Sequence, residues 1–187
     1  MFSKSLSASP QTEGPTLGPW GVHLFGLVLL VAACASTSLI FACAAPFAAF
    51  AVLAAAMQRL RPALVTIAAV WVVNQAIGFG ILHYPRTLDS AAWGLVIGLA
   101  AAMATIAAAQ TFHRLESLGR FVLYPIALLA SFAVYELCLL AATPVLGDAG
   151  AFTMDIVGRI AFLNAVWLAA LVTLYEVRRA LRYRVTG

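Results

Sequence analysis

A small set of polar and ionisable side chains stands inside or at the rim of long apolar runs, and chemistry in this chain would have to happen there. Asn74 and Gln75 are adjacent amides about two turns before His83, and His83-Tyr84-Pro85-Arg86 leads on to Trp93. Further along come Tyr135, Glu136 and Cys138, then Asp155, Arg159 and Asn164. A polar group among hydrocarbon is costly, so each marks either a ligand or ion path or a bond between helices. Glu136 says most, because a lone carboxylate inside an apolar bundle needs a partner or a proton. Arg159 is its expected partner. Two plainer uses stand beside that one. Asp155 and Arg159 are spaced i,i+4 and can pair along one helix, and Asn74 and Gln75 can bond across helices. Read together, Asn74, Gln75, His83, Tyr84, Arg86, Trp93, Tyr135, Glu136, Arg159 and Asn164 converge on one depth. That is the pattern of an outward-open pocket lined by aromatics with a few polar anchors.

Metal and covalent chemistry have thinner support. Cys34, Cys43 and Cys138 follow no CxxC or zinc spacing. With His83 they are the candidates for a soft-metal site, and Cys34 and Cys43 could also form a disulfide, although membrane cysteines usually act as small packing residues. No two histidines lie mid-span on facing helices, so a haem clamp of the cytochrome b type is unsupported. Lys4 is the only lysine, which excludes a Schiff base within the bundle. There is no GxSxG, HExxH, Walker or Gly-rich nucleotide motif, so the chain does not read as an enzyme and no cofactor is specified.

The elements that must carry these residues are membrane helices. Hydrophobic residues make up 64% of the 187 positions and charged ones only 10%, and mean hydropathy is +0.99. A soluble domain of this size has no way to hide so much apolar surface. Runs of about 20 apolar residues match the roughly 30 Å hydrocarbon slab of a bilayer. The pattern predicts helices over Trp20–Ala35, Leu39–Met57, Pro62–Leu82, Ala91–Phe112, Phe121–Thr143 and Ile156–Tyr175. The first two form one run of 38 residues, about 57 Å as helix and too long for a single crossing. Ser36-Thr37-Ser38 is the only polar punctuation in that run, so a tight turn is expected there, with Pro46 kinking the second helix. Gly94 and Gly98 form a small-xxx-small step, suited to internal packing or to a groove for another membrane subunit.

Charge supplies the orientation. Lys4, Arg59, Arg61, Arg114, Arg120, Arg178, Arg179, Arg182 and Arg184 fall on one side of a six-span arrangement, against Arg86 and Arg159 on the other. The positive-inside rule then puts both termini in the cytoplasm. The expected fold is an all-α integral membrane protein, a compact bundle of six transmembrane helices with N-in/C-in topology. Residues 1–19 would form a flexible cytoplasmic tail and residues 20–187 one membrane domain. A bacterial cytoplasmic (inner) membrane is the expected location. The net charge of +4 belongs to topology and lipid headgroups and makes no case for nucleic acid. Val31-Ala32-Ala33-Cys34 resembles a lipoprotein cleavage box, but the preceding segment has a single lysine and no polar mature segment follows.

Six short-looped helices, cytoplasmic termini and an outward cluster of polar and aromatic groups resemble the S components, the substrate-binding membrane subunits of energy-coupling factor transporters. The stretches most like small bacterial vitamin or cobalt uptake proteins are Trp71-Val-Val-Asn74-Gln75-Ala-Ile-Gly78-Phe-Gly80, His83-Tyr84-Pro85 and Ala92-Trp93-Gly94. The resemblance implies a small vitamin, cofactor or metal-bearing substrate, with corrinoid or cobalt among the candidates. It also implies a transmembrane coupling subunit and paired ATPases as partners. Solitary cobalamin transporters of this type set a cysteine against the corrinoid metal, a part open to Cys34, Cys43 or Cys138. The AxxxA docking surface common in the first helix of S components is missing, since that half reads Trp20-Gly-Val-His23-Leu-Phe-Gly26. Two other readings stand beside transport: a non-transporting assembly or scaffold subunit of a larger membrane complex, and an intramembrane enzyme.

Overall fold

A computed structural model describes residues 19–41, 45–147 and 152–186, and every residue in secondary structure there is helical. The helices are α1 Pro19–Phe41, α2 Phe47–Met57, α3 Leu60–Gly80, α4 Leu88–Arg114, α5 Arg120–Leu146 and α6 Met154–Thr186. Four of them, α3, α4, α5 and α6 over Met154–Leu181, are long and apolar enough to cross a membrane. Their outer faces carry bare hydrocarbon: Leu99 is 68% exposed, Phe121 84% and Phe162 71%. Water would not tolerate that surface, whereas lipid tails match it. The chain is a membrane-embedded helical protein.

The expected break at Ser36–Ser38 is not there. Those residues lie inside α1, where Ser36 Oγ donates to Ala32 O at 2.8 Å and Thr37 Oγ1 to Ala33 O at 2.6 Å. A hydroxyl can satisfy itself on its own helix four residues back, so polar punctuation in an apolar run need not end a helix. Helix α2 starts after Pro46, which precedes the helix and does not kink it, its carbonyl accepting from Phe50 N at 3.1 Å. Proline is preorganised for the start of a helix and has no N–H to leave orphaned there. The apolar run from Trp20 to Met57 therefore divides unequally. Helix α1 takes 23 residues and α2 only 11, the latter about 16 Å long, roughly half a bilayer core.

Helix α2 forms the centre of the bundle. Phe47 to Ala54 are buried without interruption, and the helix touches all five others. Its alanines let the neighbouring backbones come close on every side. Helices α1 and α3 run parallel, because Cys34 meets Val70 and Ser38 meets Asn74 at the same offset of 36. Helix α4 runs opposite to α3, α5 opposite to α4, and α6 opposite to α5, as fixed by Trp71 and Gln75 against Gly98 and Gly94, Ser131 against Ala104, and Tyr124 against Glu176. The turns at 58–60 and 114–120 therefore share one end of the bundle with Pro19 and the close of α6. The turns at 80–88 and 147–154 share the other.

The Gly94/Gly98 step is used inside the chain. A Cβ on Gly98 would lie 2.8 Å from Trp71 Cε2, and one on Gly94 would lie 3.0 Å from Gln75 Oε1. Trp71 Nε1 donates to Gly94 O at 2.8 Å. The step thus serves internal packing, and Gly98 also lines an open groove between α3 and α4.

Candidate functional site

Two of the residues singled out in the sequence, Tyr135 and Asn164, pack against the start of α2. The Phe47 and Tyr135 rings stack with centroids 6.2 Å apart and planes inclined by 26°, and Phe50 packs edge-on to Phe47. Tyr135 lies 11 residues before the end of α5 at Leu146, so α2 begins about 16 Å below that end, near mid-depth. Non-helical backbone at that depth is tolerated only when buried in protein, and Ala45 and Pro46 are indeed buried. The first N–H groups of a helix have no partner within it. Here Phe47 N donates to Ala45 O at 2.8 Å, and Ala49 N donates to Asn164 Oδ1 of α6 at 3.0 Å. Asn164 Nδ2 in turn donates to Ile160 O at 3.0 Å. Asn164 is thus a helix cap supplied from another helix, and both ends of its amide are engaged.

Glu136 follows Tyr135 on the adjoining face of α5. It is partly buried, and its Oε1 is shielded from solvent with no hydrogen-bond partner. The expected bond to Arg159 is absent. Among the described residues the ion pairs are Arg120–Glu176 and Arg179–Glu176, while Asp155 and Arg159 are both exposed. Helix geometry explains this. Asn164, Leu168 and Leu171 are the buried stripe of α6, and Arg159, five residues before Asn164, sits about 140° round from it.

The remaining candidates are dispersed. Asn74 Oδ1 accepts from Ser38 Oγ at 2.9 Å and ties α3 to α1. Gln75 Nε2 reaches Gly94 O at 3.4 Å, beside the stronger Trp71 bond. Tyr84 folds back on α3, its ring edge-on to Phe79 at 6.2 Å and its N–H donating to Gly78 O at 3.0 Å. His83, with φ of 55°, and Arg86 face outward, and Trp93 is half-buried. Among the described residues these side chains are spread over α3, α4 and the turn between them, and none of them lines either groove of the bundle apart from Trp71 beside Gln75. Two grooves stand out on the bundle, neither touching Glu136. One of 380 Å³ runs between α3 and α4 past Leu64, Trp71, Leu95 and Leu99, and one of 340 Å³ lies between α4 and α5 beside Arg114.

The two described cysteines are placed as packing residues. Cys34 is a free, buried thiol with Sγ 3.7 Å from Val70 O and 3.8 Å from Ser38 Oγ. Cys138 is free and packs at the core edge. Cys43 lies outside the described residues. Among the described residues no three of His, Cys, Asp and Glu come together as a metal site.

Two polar centres escape a reading by hydropathy. Glu176 accepts from Tyr124 Oη at 3.1 Å and pairs with Arg120 and Arg179 at 3.5 and 3.3 Å, tying the start of α5 to α6. Its signal is an isolated acid among the arginines of the basic end. Gln58 accepts from Thr66 Oγ1 at 3.0 Å in a buried bond between the close of α2 and α3. No family model matches the chain, and neither a curated protein nor a solved structure matches it.

Proposed function

We propose that this chain is a bacterial inner-membrane protein with both termini in the cytoplasm, and that it captures a small vitamin, cofactor or metal-bearing molecule for transport. The observation that carries the reading is the unpartnered Glu136 carboxylate at the depth where α2 breaks off. Interrupted helices near mid-depth, with ionisable groups beside them, are where transporters bind substrates and coupling ions. Phe47 N–H and Ala49 N–H at the start of α2 are engaged, whereas the shielded Oε1 of Glu136 has no partner and can meet a ligand cation, a donor or a proton. Tyr135, the residue before Glu136, is stacked on Phe47 in the core at the start of α2. A coupling subunit and ATPases, as in the S-component systems the sequence resembles, would supply the energy. The Gly94/Gly98 step packs on Trp71 and Gln75 of the same chain, while Gly98 also lines the open apolar groove between α3 and α4, where the assembly-subunit reading would seat a partner helix.

Glu136→Gln is the direct test. Protein from the native host is expected to carry a small molecule detectable by native mass spectrometry or absorbance, and Glu136→Gln, folded and inserted, is expected to lose it. A variant that keeps the same ligand load would remove Glu136 from the site. Wild-type protein that carries no ligand and co-purifies with a larger membrane complex would favour assembly over transport.

A further inference from the structure

The groove between α4 and α5 lies at the basic end of the bundle. Ala107 and Ala130 wall its inner part, Ile126 faces Gln110 and Thr111 midway, and Arg114 and Leu115 stand at the end nearest the turn. Alanines on both helices leave the space that larger side chains would fill. From Arg114 to Ala107 the groove runs roughly 10 Å along α4. Thr111 Oγ1 is engaged by Ala107 O at 2.9 Å. Gln110 and Arg114 are exposed, and neither makes a hydrogen bond or ion pair among the described residues. Glu116, two residues beyond Arg114 in the turn, is also exposed and leaves the arginine uncompensated by contact.

An apolar slot along the helices, open at a cationic mouth at the bundle end, has the polarity profile of one lipid molecule with a negative headgroup. We propose that it holds an anionic phospholipid, an acyl chain lying against Ala107, Ile126 and Ala130 and the phosphate meeting Arg114 and Gln110. Charge complementarity selects the class: an arginine near an anionic membrane surface contributes about 1 kcal/mol, whereas a zwitterionic headgroup offers it no net charge.

The test exchanges lipids on the detergent-purified full chain, offering phosphatidylglycerol and phosphatidylcholine of identical chains, and reads bound lipid by native mass spectrometry. Wild type is expected to retain phosphatidylglycerol in preference. Arg114→Gln should reduce that preference about fivefold, the equivalent of the ~1 kcal/mol for one arginine. Arg61→Gln, an exposed arginine at the same end, should leave it unchanged and so separates a seated lipid from diffuse attraction. Ala107→Leu should lower retention of both lipids. Equal retention of the two by wild type, an unchanged preference in Arg114→Gln, or a protein dimer in place of bound lipid would each overturn the proposal.

Discussion

Replacing Asn164 by leucine isolates the bond that anchors the central helix. Leucine keeps the branched shape and heavy-atom count of asparagine, so it opens no cavity although its methyl groups are bulkier, and it has no acceptor for Ala49 N–H. Asn164 is 2% exposed and Ala49 is fully buried, and the two are bonded at 3.0 Å across 115 residues. Neither water nor lipid can replace the lost acceptor there. An orphaned buried N–H costs about 1–3 kcal/mol, while polar bonds between membrane helices average about 0.6 kcal/mol and reach about 1.7. The capped donor belongs to a helix start with no intrahelical partner, so the upper part of that second range, about 1.5 kcal/mol, is the expected loss for Asn164→Leu. Asn164→Ala should lose about 1 kcal/mol more through the space it leaves. Equilibrium unfolding in mixed detergent micelles, followed by helical circular dichroism, measures both. Thr173→Ala is the control, because Thr173 Oγ1 only bonds Ala169 O on the exposed side of the same helix. If Asn164→Leu unfolds within about 0.5 kcal/mol of wild type, the range of ordinary surface changes, the cap has no role in holding α2 and the reasoning fails.

Two further outcomes follow from packing and topology. Gly98→Ala pits helix propensity, which favours alanine by about 1 kcal/mol, against a Cβ placed 2.8 Å from a Trp71 ring pinned by its own hydrogen bond. Overpacking costs about 1–3 kcal/mol, so the variant should unfold more easily, and Trp71→Leu in the same chain should restore part of the loss; a stabilised Gly98→Ala would contradict the close approach. In a background with Cys34, Cys43 and Cys138 replaced by alanine, His83→Cys should react with an impermeant maleimide in intact cells, and Arg61→Cys and Glu116→Cys only after permeabilisation. Labelling of Arg61→Cys and Glu116→Cys from opposite sides would refute their shared end of the bundle, and labelling of both from outside would refute the cytoplasmic orientation proposed for it.

Membrane residence was legible in the sequence because transfer into hydrocarbon is close to a sum over local residues, and helices α3 to α6 are recovered within a few positions of the hydropathy runs at most ends. The close of α6 is an exception. The helix continues past Tyr175 to Thr186, since arginines favour leaving lipid but do not forbid helix. Internal use of Gly94 and Gly98 was one of two readings that spacing left open. The Glu136–Arg159 pair was plausible by type, yet spacing along α6 turns Arg159 away from the buried stripe.

The amino-acid order alone determined that the chain is helical, apolar and strongly asymmetric in charge, properties each residue carries with it wherever the helices go. Only the tertiary structure decided that Ser36-Thr37-Ser38 continues α1, that α2 is a buried half-length helix starting beside Tyr135, and that Asn164 caps it while Glu136 stays unmatched. The reason is physical: a hydroxyl or amide in lipid must find a partner, and its own helix, a neighbouring helix or a ligand satisfies it equally well until the packing says which one is within 3 Å.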